Sequence, residues 1–172
     1  MSDPYRTHVA LLTAAVKATT GPVIEFGQGP NSTPLLDALC GPERWFVSLE
    51  TAPEWYRPFA PGGARLAFLL TDYDRWYDLP WPVPRFAVCL IDQAPTGRRR
   101  IDLIKMRPFV DLFVIHDTES PTYEYGPLLA SFPYRHDDKA QTPWTTVVGD
   151  YQEPFDKLAV ALANQPGEIP NA

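Results

Sequence analysis

The sequence predicts an α/β fold: a doubly wound, mostly parallel sheet with helices on both faces and an antiparallel strand at its C-terminal edge. Five apolar, strand-length segments alternate with segments of helical pattern between residues 22 and 132, and that alternation builds a parallel sheet. The first of them, Val23–Phe26, runs into Gly27-Gln28-Gly29 and then Asn31-Ser32-Thr33, which reads as a buried strand, a glycine turn and a capped helix start. Phe86–Ile91 is a continuous apolar run, as expected of a central strand covered on both faces.

In order, residues 4–18 read as a first helix, with Asp3 as N-cap, Pro4 at the first helical position and Val9, Leu12, Ala15 and Val16 on one face. The first strand spans about 22–27 and the next helix about 32–40, broken by Gly41-Pro42. Arg44–Leu49 is a second strand that finishes on Glu50, followed by a helix over Ala52–Phe59. Ala64–Leu70 is a third strand, ending at Thr71-Asp72. The stretch over 71–85 holds three acids, four aromatics and three prolines. It suits either the stiff wall of a pocket or a surface loop with its aromatics tucked against the core.

Asp92 ends the Phe86–Ile91 strand, and a helix follows from about Arg98 to Arg107 with Ile101, Leu103, Ile104 and Met106 as its apolar positions. Asp111–Ile115 is the fifth strand and leads into His116-Asp117-Thr118-Glu119. Pro121–Phe132 fits a crossover helix weakened by Gly126-Pro127, and Tyr134–Asp137 and Trp144–Val148 fit two more strands. A helix at about 154–164 closes the chain, either against the first helix or as an oligomer contact.

The totals bound the function. At 172 residues the chain is expected to be one domain over 1–165 with a flexible tail over 166–172. Hydrophobic residues make up 45% and charged residues 21%, a globular composition. Twenty prolines cluster at loop junctions and should stiffen them. The net charge of −6 argues against a nucleic-acid groove. Cys40 and Cys89 share no metal-like spacing and read as buried small hydrophobes. No signal peptide and no membrane-length apolar run is visible, so a cytoplasmic location is expected.

The glycine turn also indicates its ligand. A dinucleotide fingerprint wants a third glycine where Ser32 stands, and Pro30 removes an amide that a pyrophosphate would use. Glu25, inside the strand end, suits a cationic ligand better than a phosphate. The stretch E-F-G-Q-G over 25–29 resembles the first motif of class I S-adenosylmethionine-dependent methyltransferases. Glu50 stands 21 positions after Gly29, where doubly wound folds place the acid that takes ribose hydroxyls. A solvated glutamate ahead of a helix is the other reading.

Taken with Asp92 and Asp117, these acids put one carboxylate at each of five successive strand ends: Glu25, Glu50, Asp72, Asp92 and Asp117. The resemblance implies S-adenosylmethionine as cofactor, held by Glu25, Gly27, Gln28, Gly29, Glu50 and Asp72, the last at the adenine amino group. The D…H-D-T-E arrangement is similar to small-molecule O-methyltransferases. It implies Asp92, His116 and Asp117 as catalytic residues, with Asp92 and Asp117 holding Mg²⁺ near an acceptor hydroxyl. His116 as a metal-independent base and His116 as a structural histidine stay open. Arg98-Arg99-Arg100 reads as a solvent-facing run or as an anchor for an acidic acceptor. The expected function is methyl transfer to a small molecule at a hydroxyl; the alternative is an inactive methyltransferase-like binding or assembly module, and a homo-oligomer fits either.

Overall fold

Seven strands form one sheet, in the order β3-β2-β1-β4-β5-β7-β6, in a computed structural model that describes residues 4–59, 66–81 and 83–164. The strands are β1 (Val23–Phe26), β2 (Phe46–Glu50), β3 (Leu66–Leu70), β4 (Phe86–Ile91), β5 (Val110–His116), β6 (Tyr134–Asp138) and β7 (Thr145–Gly149). The first five pair in parallel, whereas β7 runs antiparallel to both β5 and β6. The mostly parallel sheet with an antiparallel C-terminal edge is therefore the observed architecture.

Register sorts the core into two layers. Val23 pairs with Phe46 and Val88, and Val88 with Leu112. This row faces Leu11, Leu12, Ala15 and Val16 of α1 (Val9–Lys17), Leu36 of α2 (Thr33–Cys40) and Leu158 of α6 (Gln152–Ala163). One residue along, Ile24, Val47, Cys89 and Phe113 form the next row. They face Leu103 and Met106 of α4 (Thr96–Met106) and Leu129 of α5 (Gly126–Ala130), while α3 (Pro53–Phe59) follows β2. Side chains alternate faces along a strand, so the continuous apolar runs are those with helices on both sides. β1, β2 and β4 are buried along their whole length.

Two expectations are revised and one alternative is resolved. The first helix starts at Val9, after a 3₁₀ turn over Pro4–Arg6. Thr7, in the gap, reaches β5, its hydroxyl 2.9 Å from His116 Nε2. A tertiary contact thus overrides the helical pattern, and Asp3 lies outside the described residues. The helix expected over 121–132 is split into a 3₁₀ turn at Pro121–Tyr123 and α5, with Glu124 left-handed at φ +51° between them. Pro127 has no amide to continue a helix from the preceding turn, but it is tolerated in the first turn of a new one. Finally, α6 packs against α1, so of its two readings the structure carries the helix pairing.

The aromatic stretch after β3 divides its roles. Trp76 is fully buried and stacks on Phe26 with ring centroids 4.8 Å apart, whereas Tyr73 faces a cavity. Among the described residues no helix is long and apolar enough to cross a membrane.

Candidate active site

Strand order reverses between β1 and β4, and a cavity of about 980 Å³ lies at the carboxyl ends of β1, β2, β4 and β5 there. Open parallel sheets offer their ligand crevice at this point. On the β1–β2 side the loop is pinned by carboxylates. Gly27 has φ +91°, and a Cβ there would come within 2.5 Å of Gln93 Cα on the neighbouring loop. Only glycine fits both the conformation and the space.

Glu50 is buried and accepts three backbone hydrogen bonds: from Gln28 N at 3.0 Å on Oε2, and from Thr51 N at 2.6 Å and Ala52 N at 2.9 Å on Oε1. A carboxylate offers about four acceptor positions, so one is left for a ligand. The Gln28 side-chain amide is buried in the cavity wall with neither atom partnered among the described residues.

Glu25 has a different place from the one expected. It lies fully buried beneath the loop and does not line the cavity. Its Oε2 accepts from Thr33 Oγ1 at 2.9 Å and Ser48 Oγ at 2.6 Å, and Thr33 Oγ1 in turn accepts from Gly29 N at 3.0 Å. Burial pushes its carboxyl up to about 7, against the pull of Ser32, Ser48 and Thr33. Glu25 therefore holds the loop from below. Asp72 is exposed and does not line the cavity; Tyr73 does, with its hydroxyl accepting from Thr51 Oγ1 at 2.9 Å.

The β4–β5 side carries the other cluster. Asp92, His116 and Asp117 all line the cavity, so the structure brings these three together. His116 Nδ1 lies 3.2 Å from Asp92 Oδ1 and 3.4 Å from Asp117 Oδ1. Burial disfavours a charged His116 ring, but the hydrogen bond and charge of Asp92, with Asp117, outweigh it and hold its pKa above the ordinary value. Burial likewise opposes an ionised Asp92, and His116 and Arg99 outweigh that, holding it below the usual carboxylate range.

Arg99 changes the meaning of the acidic pair. Its side chain is buried, and its guanidinium reaches Asp92 Oδ1 at 2.9 Å, Asp117 Oδ2 at 2.9 Å and Gln93 O at 2.6 Å. Tyr123 donates to Asp117 Oδ2 at 3.0 Å, and Arg99 sits 4.8 Å over the Tyr123 ring. The two carboxylates expected to share Mg²⁺ are thus bridged by the protein's own cation, and as a pair they do not fit a magnesium site. Arg98 is tied to Asp102, Asp74 and Tyr73 O, and Arg100 pairs with Glu124 at the surface.

His8 completes this side and has no counterpart in the sequence reading. It is buried and lines the cavity, its ring edge-on to His116 with centroids 5.0 Å apart. Neither ring nitrogen has a hydrogen-bond partner among the described residues. Burial, then the charge of His116, pulls its pKa down to about 4, although Asp92 and Asp117 favour the charged form. Trp55 also lines the cavity. The sequence carries a weak signal for Arg99, a cation placed against the helix dipole in the first turn of α4. It carries none for His8, which comes from 84 residues before Asp92 in the chain.

No family model matches the sequence, and no curated protein matches it. Solved structures do match the fold. An O-methyltransferase from Bacillus cereus, solved with S-adenosylhomocysteine, shares 12% identity at a TM-score of 0.63, over 87% of this chain and 82% of that one. The O-methyltransferase TomG from Streptomyces achromogenes, involved in tomaymycin synthesis and solved with S-adenosylmethionine, shares 13% at 0.62, over 88% and 82%. Human methyltransferase-like protein 13, solved with S-adenosylhomocysteine, shares 15% at 0.58, over 96% and 95%. The fold is that of the class I S-adenosylmethionine-dependent methyltransferases.

Proposed function

We propose that the protein is an S-adenosylmethionine-dependent methyltransferase that acts on a small molecule, at a hydroxyl. The observation that carries this reading is one cavity with two chemically distinct ends: a glycine turn with a backbone-fixed glutamate, and an imidazole–carboxylate cluster. The likeness in fold to O-methyltransferases supports it without deciding it, because a fold hosts many functions.

The residues at the β1–β2 end fit the cofactor. Glu50 keeps one acceptor position toward the cavity for a ribose hydroxyl, and the orphaned Gln28 amide supplies a donor and an acceptor beside it. Three backbone amides fix Glu50 in advance, so little ordering is needed when a ligand binds. Trp55 and Tyr73 offer aromatic surface at this end. When bound, the cofactor supplies an electrophilic methyl group on a sulfonium.

Everything else falls to the chain. It must align the acceptor oxygen with that methyl, exclude water and dispose of the hydroxyl proton. The His8–Asp92–His116 cluster is the place for the proton, since it lines the same cavity and is fixed from behind by Arg99 and Thr7. Arg99 helps to keep Asp92 ionised and pairs with Asp117, so its role is positioning.

The test is a screen of small hydroxyl compounds, phenols included, with labelled S-adenosylmethionine. Transfer that is lost in both Glu50→Ala and Asp92→Asn is the expected result. Cofactor binding with no transfer to any acceptor class would favour the inactive binding module, and no cofactor binding would refute the reading.

A further inference from the structure

We infer that His8, Asp92 and His116 form a binding site for a borderline first-row divalent cation such as Zn²⁺, Fe²⁺ or Co²⁺. Each residue offers one ligand atom, and the three atoms lie within 4.8 Å of one another. They come from three elements: the turn before α1, the end of β4 and the end of β5. His116 Nδ1 and Asp92 Oδ1 are 3.2 Å apart, close to the spacing of adjacent ligands around an ion with bonds of about 2.1 Å.

The unpartnered atoms point the same way. His8 is 2% exposed and neither nitrogen has a partner among the described residues. Buried polar side chains are nearly always hydrogen-bonded, and an exception calls for a catalytic group, a water or an ion. On Asp92, the closest contacts of Arg99 and of His116 both fall on Oδ1. Arg99 compensates the pair of aspartates, so the site has room for one cation on the His8 side and not for a second between the carboxylates.

The outer contacts suit this arrangement. Thr7 Oγ1 sits 2.9 Å from His116 Nε2. With the Nε2 proton donated to Thr7, the Nδ1 lone pair is directed at the site, and metal-bound histidines are oriented by a second hydrogen bond of this kind. Two imidazoles and one carboxylate select zinc or a neighbouring transition metal over Mg²⁺, which prefers oxygen ligands. Three protein ligands leave open positions toward the cavity; with a cation bound, the cation and not a free imidazole of the cluster prepares a hydroxyl that reaches it, by lowering its pKa.

The inference stands apart from the methyl-transfer reading, because it is tested without cofactor or acceptor. Untagged, chelator-stripped protein is titrated with Zn²⁺, Co²⁺ and Mg²⁺ by calorimetry, with Co²⁺ followed by its visible bands. One saturable Zn²⁺ or Co²⁺ per chain is expected, with Mg²⁺ at least about 100-fold weaker. His8→Gln should weaken binding by about 100-fold or more and Thr7→Ala by about tenfold. Proton NMR of the Co²⁺ form should show two paramagnetically shifted imidazole N–H signals, a readout that needs no variant to fold. No binding, binding untouched by His8→Gln, equal Mg²⁺ affinity or fewer than two shifted imidazoles would overturn the inference.

Discussion

The two ends of the cavity treat their polar atoms in opposite ways. At the β1–β2 end neutral donors hold the acids: Glu50 takes three backbone amides, and Glu25 takes two side-chain hydroxyls on one oxygen, its other oxygen having no partner among the described residues. At the β4–β5 end the carboxylates are tied to Arg99 from behind, while neither nitrogen of His8 has a partner among the described residues. The first end is rigid before any ligand arrives. Both keep bonding capacity facing the cavity, the Gln28 amide at the first end and the His8 ring at the second.

The sharpest way to separate the ends is Asp92→Asn. It should lower turnover by about 10²- to 10⁴-fold while cofactor affinity stays within about twofold, read by single-turnover kinetics and calorimetry. A parallel loss of both would mean that the ends are one unit. Gly27→Ala attacks the other end through packing. A left-handed backbone and a Cβ driven toward Gln93 should destabilise the fold by about 3 kcal/mol or more in chemical denaturation.

Glu25→Gln tests the acid beneath the loop. Its folded pKa is raised to about 7 from an ordinary 4.5, so the protonated form is the one the fold favours. That contribution is full below pH 4.5, falls as pH rises and is lost above about pH 7, a loss of about 3 kcal/mol. The glutamine variant should therefore show a flatter stability profile between pH 5 and 8, measured by urea unfolding. Asp72→Ala, the smallest change, should leave cofactor affinity within about twofold, since Asp72 stands outside the cavity.

Legibility in the sequence divides along the same line. The β1–β2 end is local: strand, glycine turn, helix and the acid 21 residues past Gly29 lie in one stretch, and period and spacing expose them. Strand-end acids were equally visible, but their roles were not. Glu25 and Asp72 sit at strand ends, yet one is buried below the loop and the other turns to solvent, because side-chain direction depends on pleat and twist that spacing does not encode. His8 and Thr7 were hidden for a further reason. They belong to a segment whose helical pattern and proline predict helix, and there the chain instead turns to meet His116.

Methyl transfer by this chain requires that Glu50 and the glycine turn form an adenosyl site. Calorimetric titration of the protein and of Glu50→Ala with S-adenosylmethionine, S-adenosylhomocysteine and NAD(H) tests it directly. Saturable binding of the two adenosyl ligands, none of NAD(H), and a loss of about tenfold or more in Glu50→Ala is the predicted result. Unchanged affinity in Glu50→Ala, or binding of NAD(H) alone, would contradict it.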